Sequence, residues 1–311
     1  MNPAVAVVIV TYNGQEVIEK CLSTLIESSD LLSNIIVVDN QSTDNTLSIL
    51  EKFKDHIQLI QLDSNLGFGQ ANNKGITEAL QQGADYLLLL NQDVYFDRDN
   101  LSLFIKESTE SIDHKIGIYS PIHIDGSANK LDYNFKTFLF KNKPSDLVDT
   151  YLLNNPKTKK SYEANFVNAA IWLLPKKTLA IVGGFDPIFF HYGEDRNYVN
   201  RLHYHNLSVH IIPECYAIHD RGQQDGTYKK ENLARFLFLV EATDLNTRYS
   251  LLSLLLRVAY RNYITRTGGI WSVITKSMSD SVKSFSKLSE ARKTRKTYPN
   301  STEYRYINIP K

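Results

Sequence analysis

Acids and amides in this 311-residue chain gather at a few short stations. Asp39-Asn40 and Ser42-Thr43-Asp44 follow one apolar run, and Asn91-Gln92-Asp93 follows another, Leu87-Leu88-Leu89-Leu90. A carboxylate at such a point can bond a ligand's imino or hydroxyl hydrogen, or can shape a turn or cap a helix. Glu194-Asp195 is an acidic pair at the start of a helical pattern. The helix N-terminus favours the ionised forms, whereas burial and the neighbouring charge oppose them, so the pair is suited to proton transfer as well as to capping. Gly67-Phe68-Gly69 follows a strand pattern and opens a helix, but Asn72 stands where a dinucleotide fingerprint needs its third glycine. Among eight histidines, His219 is singled out because it ends the apolar Cys215-Tyr216-Ala217-Ile218 and precedes Asp220-Arg221-Gly222. The alternative is a histidine that merely ends a strand.

These stations need a scaffold, and the first hundred residues supply a pattern for one. Apolar runs at 4–10, 34–38, 57–62 and 86–90 read as strands, and the segments between them have helical period. Val17, Leu22, Leu25 and Ile26 fall on one side of the first helix, and Gly83 suits the end of the third. Strands alternating with helices predict βαβ units and a mostly parallel sheet, whose ligands sit at the carboxyl ends of the strands. Every station above follows a strand, a strand-to-helix turn or a helix start. Further on, 116–124, 166–174 and 209–212 read as strands, and Tyr198, Val199 and Leu202 mark one face of a short helix. The polar stretch 125–161 reads as a functional loop or small insertion.

Composition excludes several classes. With Lys+Arg 35 against Asp+Glu 34 the net charge is +1, too small for a field that would grip nucleic acid. At 42% hydrophobic and 11% aromatic, the chain has enough apolar surface to fold. Cys21 and Cys215 form no CxxC pair, so a disulfide framework or structural zinc has no support and a reducing, cytoplasmic setting is expected. The apolar start runs straight into Thr11-Tyr12-Asn13-Gly14 and reads as a strand rather than a leader. The apolar stretch 250–263 is interrupted by Arg257 and Arg261 and is too short to span a bilayer.

In order and spacing, Val7-Val8-Ile9-Val10-Thr11-Tyr12-Asn13, Asp39-Asn40, Asn65-Leu66-Gly67-Phe68-Gly69 through Asn73-Lys74-Gly75, Asn91-Gln92-Asp93 and Gly184-Phe185-Asp186 to Gly193-Glu194-Asp195 resemble the family 2 glycosyltransferases, most closely the bacterial rhamnosyltransferase-like branch. The resemblance covers residues 1–225 and implies a GT-A fold, a nucleotide-sugar donor, a divalent cation and inversion at the anomeric carbon. It implies that Thr11, Tyr12, Asn13 and Asp39 line the slot for a uracil or thymine base. Asn65, Gly67 and Asn72 pack against the donor, and Asn91, Gln92 and Asp93 meet its ribose and diphosphate. The family's usual Asp-x-Asp is altered here, since Asn91 replaces the first acid. Asp93 is then the carboxylate ligand for Mn²⁺ or Mg²⁺, ions that complete their shells from phosphate and water. His219 would complete the site, and imidazole suits Mn²⁺ better. The pair Glu194 and Asp195 would serve the acceptor side, with Asp195 the base that takes the acceptor proton. Phe189, Phe190 and Tyr192 would either wall a sugar ring or belong to the core.

The implied activity moves a sugar, with rhamnose favoured, from a dTDP- or UDP-sugar to a saccharide or lipid-linked saccharide of the cell surface. Residues 226–311 are expected to form a helical extension with a basic tail, since 276–296 holds seven basic residues against two acidic. That surface reads either as a peripheral contact with anionic membrane or as a solvated cap. Two alternatives stand beside this reading. A sugar-nucleotide-forming nucleotidyltransferase would carry a glycine-rich basic loop after the first strand, and residues 11–15 hold one glycine and no basic residue. The other is a non-catalytic glycan-binding protein.

Overall fold

Seven successive buried residues form β1 (Val5–Thr11) at the centre of the first half of the sheet. They alternate between two cores: Ala6, Val8 and Val10 face one, and Val5, Val7 and Ile9 the other. A strand buried on both faces must be apolar throughout, which is why the run lacks a polar alternation. In the computed structural model, which describes residues 3–140, 146–153, 159–221, 239–247 and 306–307, the chain continues with α1 (Ile18–Ile26), β2 (Asn34–Asp39), α2 (Thr46–Glu51), β3 (Gln58–Gln61), α3 (Phe68–Gln81) and β4 (Tyr86–Asn91). β2 and β4 flank β1 in parallel, and β3 joins β2 in parallel, as the alternating pattern predicts. Asp44 accepts the Thr46 N–H at the start of α2 at 3.0 Å and ties it back to the turn before α1 by accepting the Gln15 N–H at 3.2 Å. Gly83 ends α3 with φ at +87°, a left-handed position favourable to glycine.

The second half is built differently. After β5 (Val94–Tyr95) and α4 (Arg98–Thr109) come β6 (Ile116–Asp125), α5 (Tyr133–Phe140), α6 (Asp146–Leu152), β7 (Tyr162–Ala164), β8 (Ile171–Pro175), α7 (Lys176–Val182), α8 (Glu194–Tyr204) and β9 (Ser208–His219). The nine-stranded sheet runs β3-β2-β1-β4-β8-β6-β9-β5, with β7 on β9. β8 lies antiparallel between β4 and β6, while β6 and β9 are parallel. α3, α7 and α8 cover one face, and α1, α2 and α4 the other.

Two local expectations change. The strand predicted over 166–174 begins only at Ile171, because 166–170 turns, with the Trp172 indole N–H bonded to the Val167 carbonyl at 3.1 Å. The stretch 125–161 holds two helices; Asp132 starts the first by accepting the Phe135 N–H at 2.9 Å. Residues 239–243 are helical and pack on α8, where Asn197 donates to the Thr243 hydroxyl at 3.0 Å. The boundary expected near 225 and most of the basic extension, including 250–296, lie outside the described residues. Among the described residues no helix is long and apolar enough to cross a membrane.

Candidate active site

The parallel register sets the donor edge. Thr11 pairs with Asp39 and Val10 with Asn91, so β1, β2 and β4 end side by side. Gln92 braces the loop after β1: its Oε1 accepts the Thr11 hydroxyl at 2.6 Å and the Tyr12 N–H at 3.0 Å. Asn13, with φ at +48°, accepts the Thr43 N–H at 2.9 Å and donates its own N–H to Ser42 Oγ at 2.9 Å. Asp39 is buried; one oxygen accepts the Ser42 N–H at 3.1 Å, and the other, Oδ1, has no hydrogen-bond partner. Asn65 accepts from the Asn40 amide at 3.0 Å and from the Gly67 N–H at 2.9 Å. At Gly67, φ is +81° and an added Cβ would stand 1.8 Å from the Phe190 carbonyl oxygen, so only glycine fits under that loop. Asn72 is buried and donates to the Phe68 carbonyl of its own helix at 3.0 Å.

The cation candidates lie at the neighbouring corner. β5 pairs Val94 with His219, which carries β9 past Asp93. His219 Nε2 lies 3.4 Å from Asp93 Oδ1, and neither atom has a hydrogen-bond partner. Among the described residues no group of three or more His, Cys, Asp and Glu side chains could hold a metal ion by itself. A two-residue site still fits Mn²⁺ or Mg²⁺, because substrate phosphate and water supply the other ligands. The buried, unpaired oxygen and nitrogen are the donor set such an ion takes. Asn91 Oδ1, at the end of β4, is likewise unpaired.

Glu194 and Asp195 open α8 after a turn in which Tyr192 and Gly193 both have positive φ, 65° and 102°. The Asn91 N–H donates to the Ala170 carbonyl at 2.9 Å, and the N–H of the preceding residue, Ala169, bonds the Asp195 carboxylate. Asp195 is thereby tied to the 169–170 turn that bonds the end of β4. Burial, reinforced by Asp195, pushes the Glu194 carboxyl up to about 8, and its Oε2 is buried without a partner. Burial also raises Asp195, against the opposing charge of Arg196 and N–H donors that include Arg196 N at 2.6 Å. Burial thus raises both carboxyls, and the two titrate as a pair rather than as independent acids. Phe189 is buried with Leu239 and Val240 and belongs to the core, whereas Phe190 and Tyr192 are exposed.

Sequence reasoning passed over several supports. Asn73 clamps the approach to α8, donating to the Phe185 carbonyl at 2.8 Å and accepting the Phe185 N–H at 2.7 Å. The Arg196 guanidinium lies 3.9 Å from the Phe166 ring centroid and 5.0 Å from that of Phe138 in α5. Asp132 faces His219. A helix-start signal, Asp132 three residues before Phe135, was available; its meeting with β9 had none. A separate cavity of about 630 Å³ between α1 and β9, lined in part by Lys20, Tyr95, Arg98 and Tyr216, includes none of the candidate residues.

The Glycosyl transferase family 2 model matches residues 6–156. Rhamnosyltransferase WbbL of Escherichia coli (strain K12) is 26% identical over 230 residues, covering 69% of this chain and 83% of that protein. The dTDP-rhamnosyl transferase RfbF of Shigella flexneri is 27% identical over 228 residues, covering 72% and 71%. Among solved structures, the mannosyltransferase PcManGT of Pyrobaculum calidifontis, in complex with GDP-Man and Mn²⁺, superposes with a TM-score of 0.56 at 15% identity, covering 98% of this chain and 83% of that one. S. aureus TarS 1-349 in complex with UDP-GlcNAc gives 0.55 at 18%, covering 93% and 81%. The structural matches bear on the fold, and the two sequence relatives are both named for glycosyl transfer. Family match, relatives and the β1-β2-β4 edge agree: the chain is a glycosyltransferase of GT-A fold whose residues 6–156 match family 2, similar to the rhamnosyltransferase-like branch.

Proposed function

We propose that the enzyme transfers rhamnose, with inversion, from a dTDP- or UDP-linked donor to a saccharide acceptor on a lipid carrier, at the cytoplasmic face of a cell that is building surface polysaccharide. Relatives named for rhamnosyl transfer support the sugar, and a Mycobacterium tuberculosis relative, 22% identical over 253 residues and named for N-acetylglucosaminyl-diphospho-decaprenol, supports the acceptor class. Asp39 Oδ1 is the free acceptor for the base, with Thr11, Tyr12 and Asn13 around it, and Asn91 and Gln92 lie towards ribose and diphosphate. Asp93 and His219 would hold a divalent cation, which when bound neutralises charge on the departing diphosphate. The acceptor oxygen bonds to the anomeric carbon as the bond to the diphosphate oxygen breaks, and Asp195 takes the acceptor proton. Glu194, protonated, adds no second negative charge beside that base.

One observation carries this reading: the Ala169 N–H on Asp195 and the Ala170 carbonyl on Asn91 seat the base against the end of the strand that leads to Asp93. Asp195→Asn is its test. Transfer from dTDP-rhamnose should fall by about 10²–10⁴, as expected for loss of a general base, while dTDP binding by calorimetry is unchanged. Undiminished transfer would refute the assignment.

A further inference from the structure

A second buried carboxylate faces His219 from the side away from Asp93. Asp132 Oδ2 lies 3.5 Å from His219 Nδ1, and both residues are almost fully buried. Asp132 belongs to the stretch between β6 and β7; two contacts fix it, and a third holds its partner Arg221. Oδ2 accepts from Arg221 Nε at 2.8 Å, Oδ1 accepts the Phe135 N–H at 2.9 Å, and Asn134, with its amide oxygen turned towards Arg221, accepts from both Nη atoms at 3.2 Å. The remaining polar neighbour, His123, meets His219 edge-on at 6.2 Å between centroids, and its Nε2 is engaged with Ser120 Oγ at 2.9 Å. Each nitrogen of the His219 ring thus looks at one carboxylate, and neither has a closer partner.

A neutral imidazole presents one lone pair, and the other nitrogen must then carry the proton. If Nε2 is to share a cation with Asp93, the proton sits on Nδ1, where Asp132 is the acceptor in line. We propose that Asp132 is a positioning residue: it selects the Nδ1–H tautomer of His219 and fixes the ring so that Nε2 and Asp93 present to one divalent cation. Arg221 and Asn134 keep Asp132 in place. The inference rests on the assignment of Asp93 and His219 as cation ligands, and it makes the β6–β7 insertion part of the cation site. Carboxylate partners of ligating histidines act in this way, and their loss costs about 10–100-fold in metal affinity.

The test is direct Mn²⁺ binding by the full chain with saturating dTDP or UDP, free Mn²⁺ being read from its EPR signal. Asp132→Leu and His219→Ala should each weaken binding by about 10–100-fold, and the double variant should be no weaker than His219→Ala alone. Asp132→Asn retains the size and the acceptor for the Phe135 N–H, so it keeps the fold should the leucine variant lose it. Its loss should be roughly threefold to tenfold and should also vanish in the His219→Ala background. Wild-type Mn²⁺ affinity in both Asp132 variants, or losses that multiply in the double variant, would overturn the positioning role. Unchanged affinity in His219→Ala would instead overturn the ligand assignment, and the inference with it.

Discussion

The loops after β1, β2 and β3 satisfy their polar groups in one way, and the Asp93–His219 corner and the start of α8 at Glu194 in the opposite way. In the loops, side chains close on neighbouring backbone: Asn13 on Thr43, Asp44 on Thr46, Asn40 on the Leu66 N–H at 2.8 Å. Only an oxygen such as Asp39 Oδ1 is left over. At the corner Asp93 Oδ1 and both His219 nitrogens, and at the start of α8 Glu194 Oε2, are buried without hydrogen bonds. Buried polar atoms without partners cost stability, by about 1–3 kcal/mol each. The proposed base slot is therefore self-supporting, and the groups proposed to meet a cation or a proton are left short of partners.

That contrast can be broken by substitutions that act on one side only. Asp93→Ala should weaken Mn²⁺-dependent dTDP binding by about 10–100-fold, because it removes a ligand, with no loss of melting temperature; this takes calorimetry with and without Mn²⁺. Gly67→Ala should do the reverse. It forces a strained backbone and a clash with Phe190, destabilising the fold by about 1–3 kcal/mol, read as a lower melting temperature. A stable Gly67→Ala would show that the 184–193 loop does not rest on α3.

Glu194 sharpens the comparison through pH. Its folded value, about 8, lies above the ordinary 4.5, so the folded state holds a proton that the unfolded state releases. The stabilisation is complete below about pH 4.5 and is lost as pH rises through about 8. Glu194→Gln should flatten that decline in urea melts between these limits, and an equally steep decline would contradict the assignment. The smallest effect is expected from Thr11→Val, which deletes one hydrogen bond to Gln92 and should cost about 1 kcal/mol in the same melts.

The parallel half was legible because both-face burial leaves unbroken apolar runs, as in Val5–Thr11 and Leu87 to Leu90, and because parallel strands place their ends in one line. Asp39 and Asp93 could be picked for the same reason, since each follows an apolar run that ends, and Glu194 because it opens a helical pattern. The second half was less legible. The antiparallel insertion of β8 between β4 and β6 depends on long-range pairing, and Asn168-Ala169-Ala170 turns to meet Asn91 and Asp195 instead of extending the strand. Asp132 carries a local signal for a helix start and none for its place beside His219, which arises only when β9 returns next to β6. Phe189 illustrates the same limit, since its burial depends on Leu239 and Val240, fifty residues on.

The most direct test measures whether the cation and the proposed base share one cleft. Cys21 and Cys215 are fully buried whereas Asp195 is only half-buried, so an Asp195→Cys variant can be labelled selectively with a trifluoromethyl tag. With dTDP present, Mn²⁺ should broaden the ¹⁹F signal of that tag where Mg²⁺ does not, and the broadening should disappear when Asp93→Ala is added. A signal that stays sharp while Mn²⁺ binds would separate positions 93 and 195 and contradict the account.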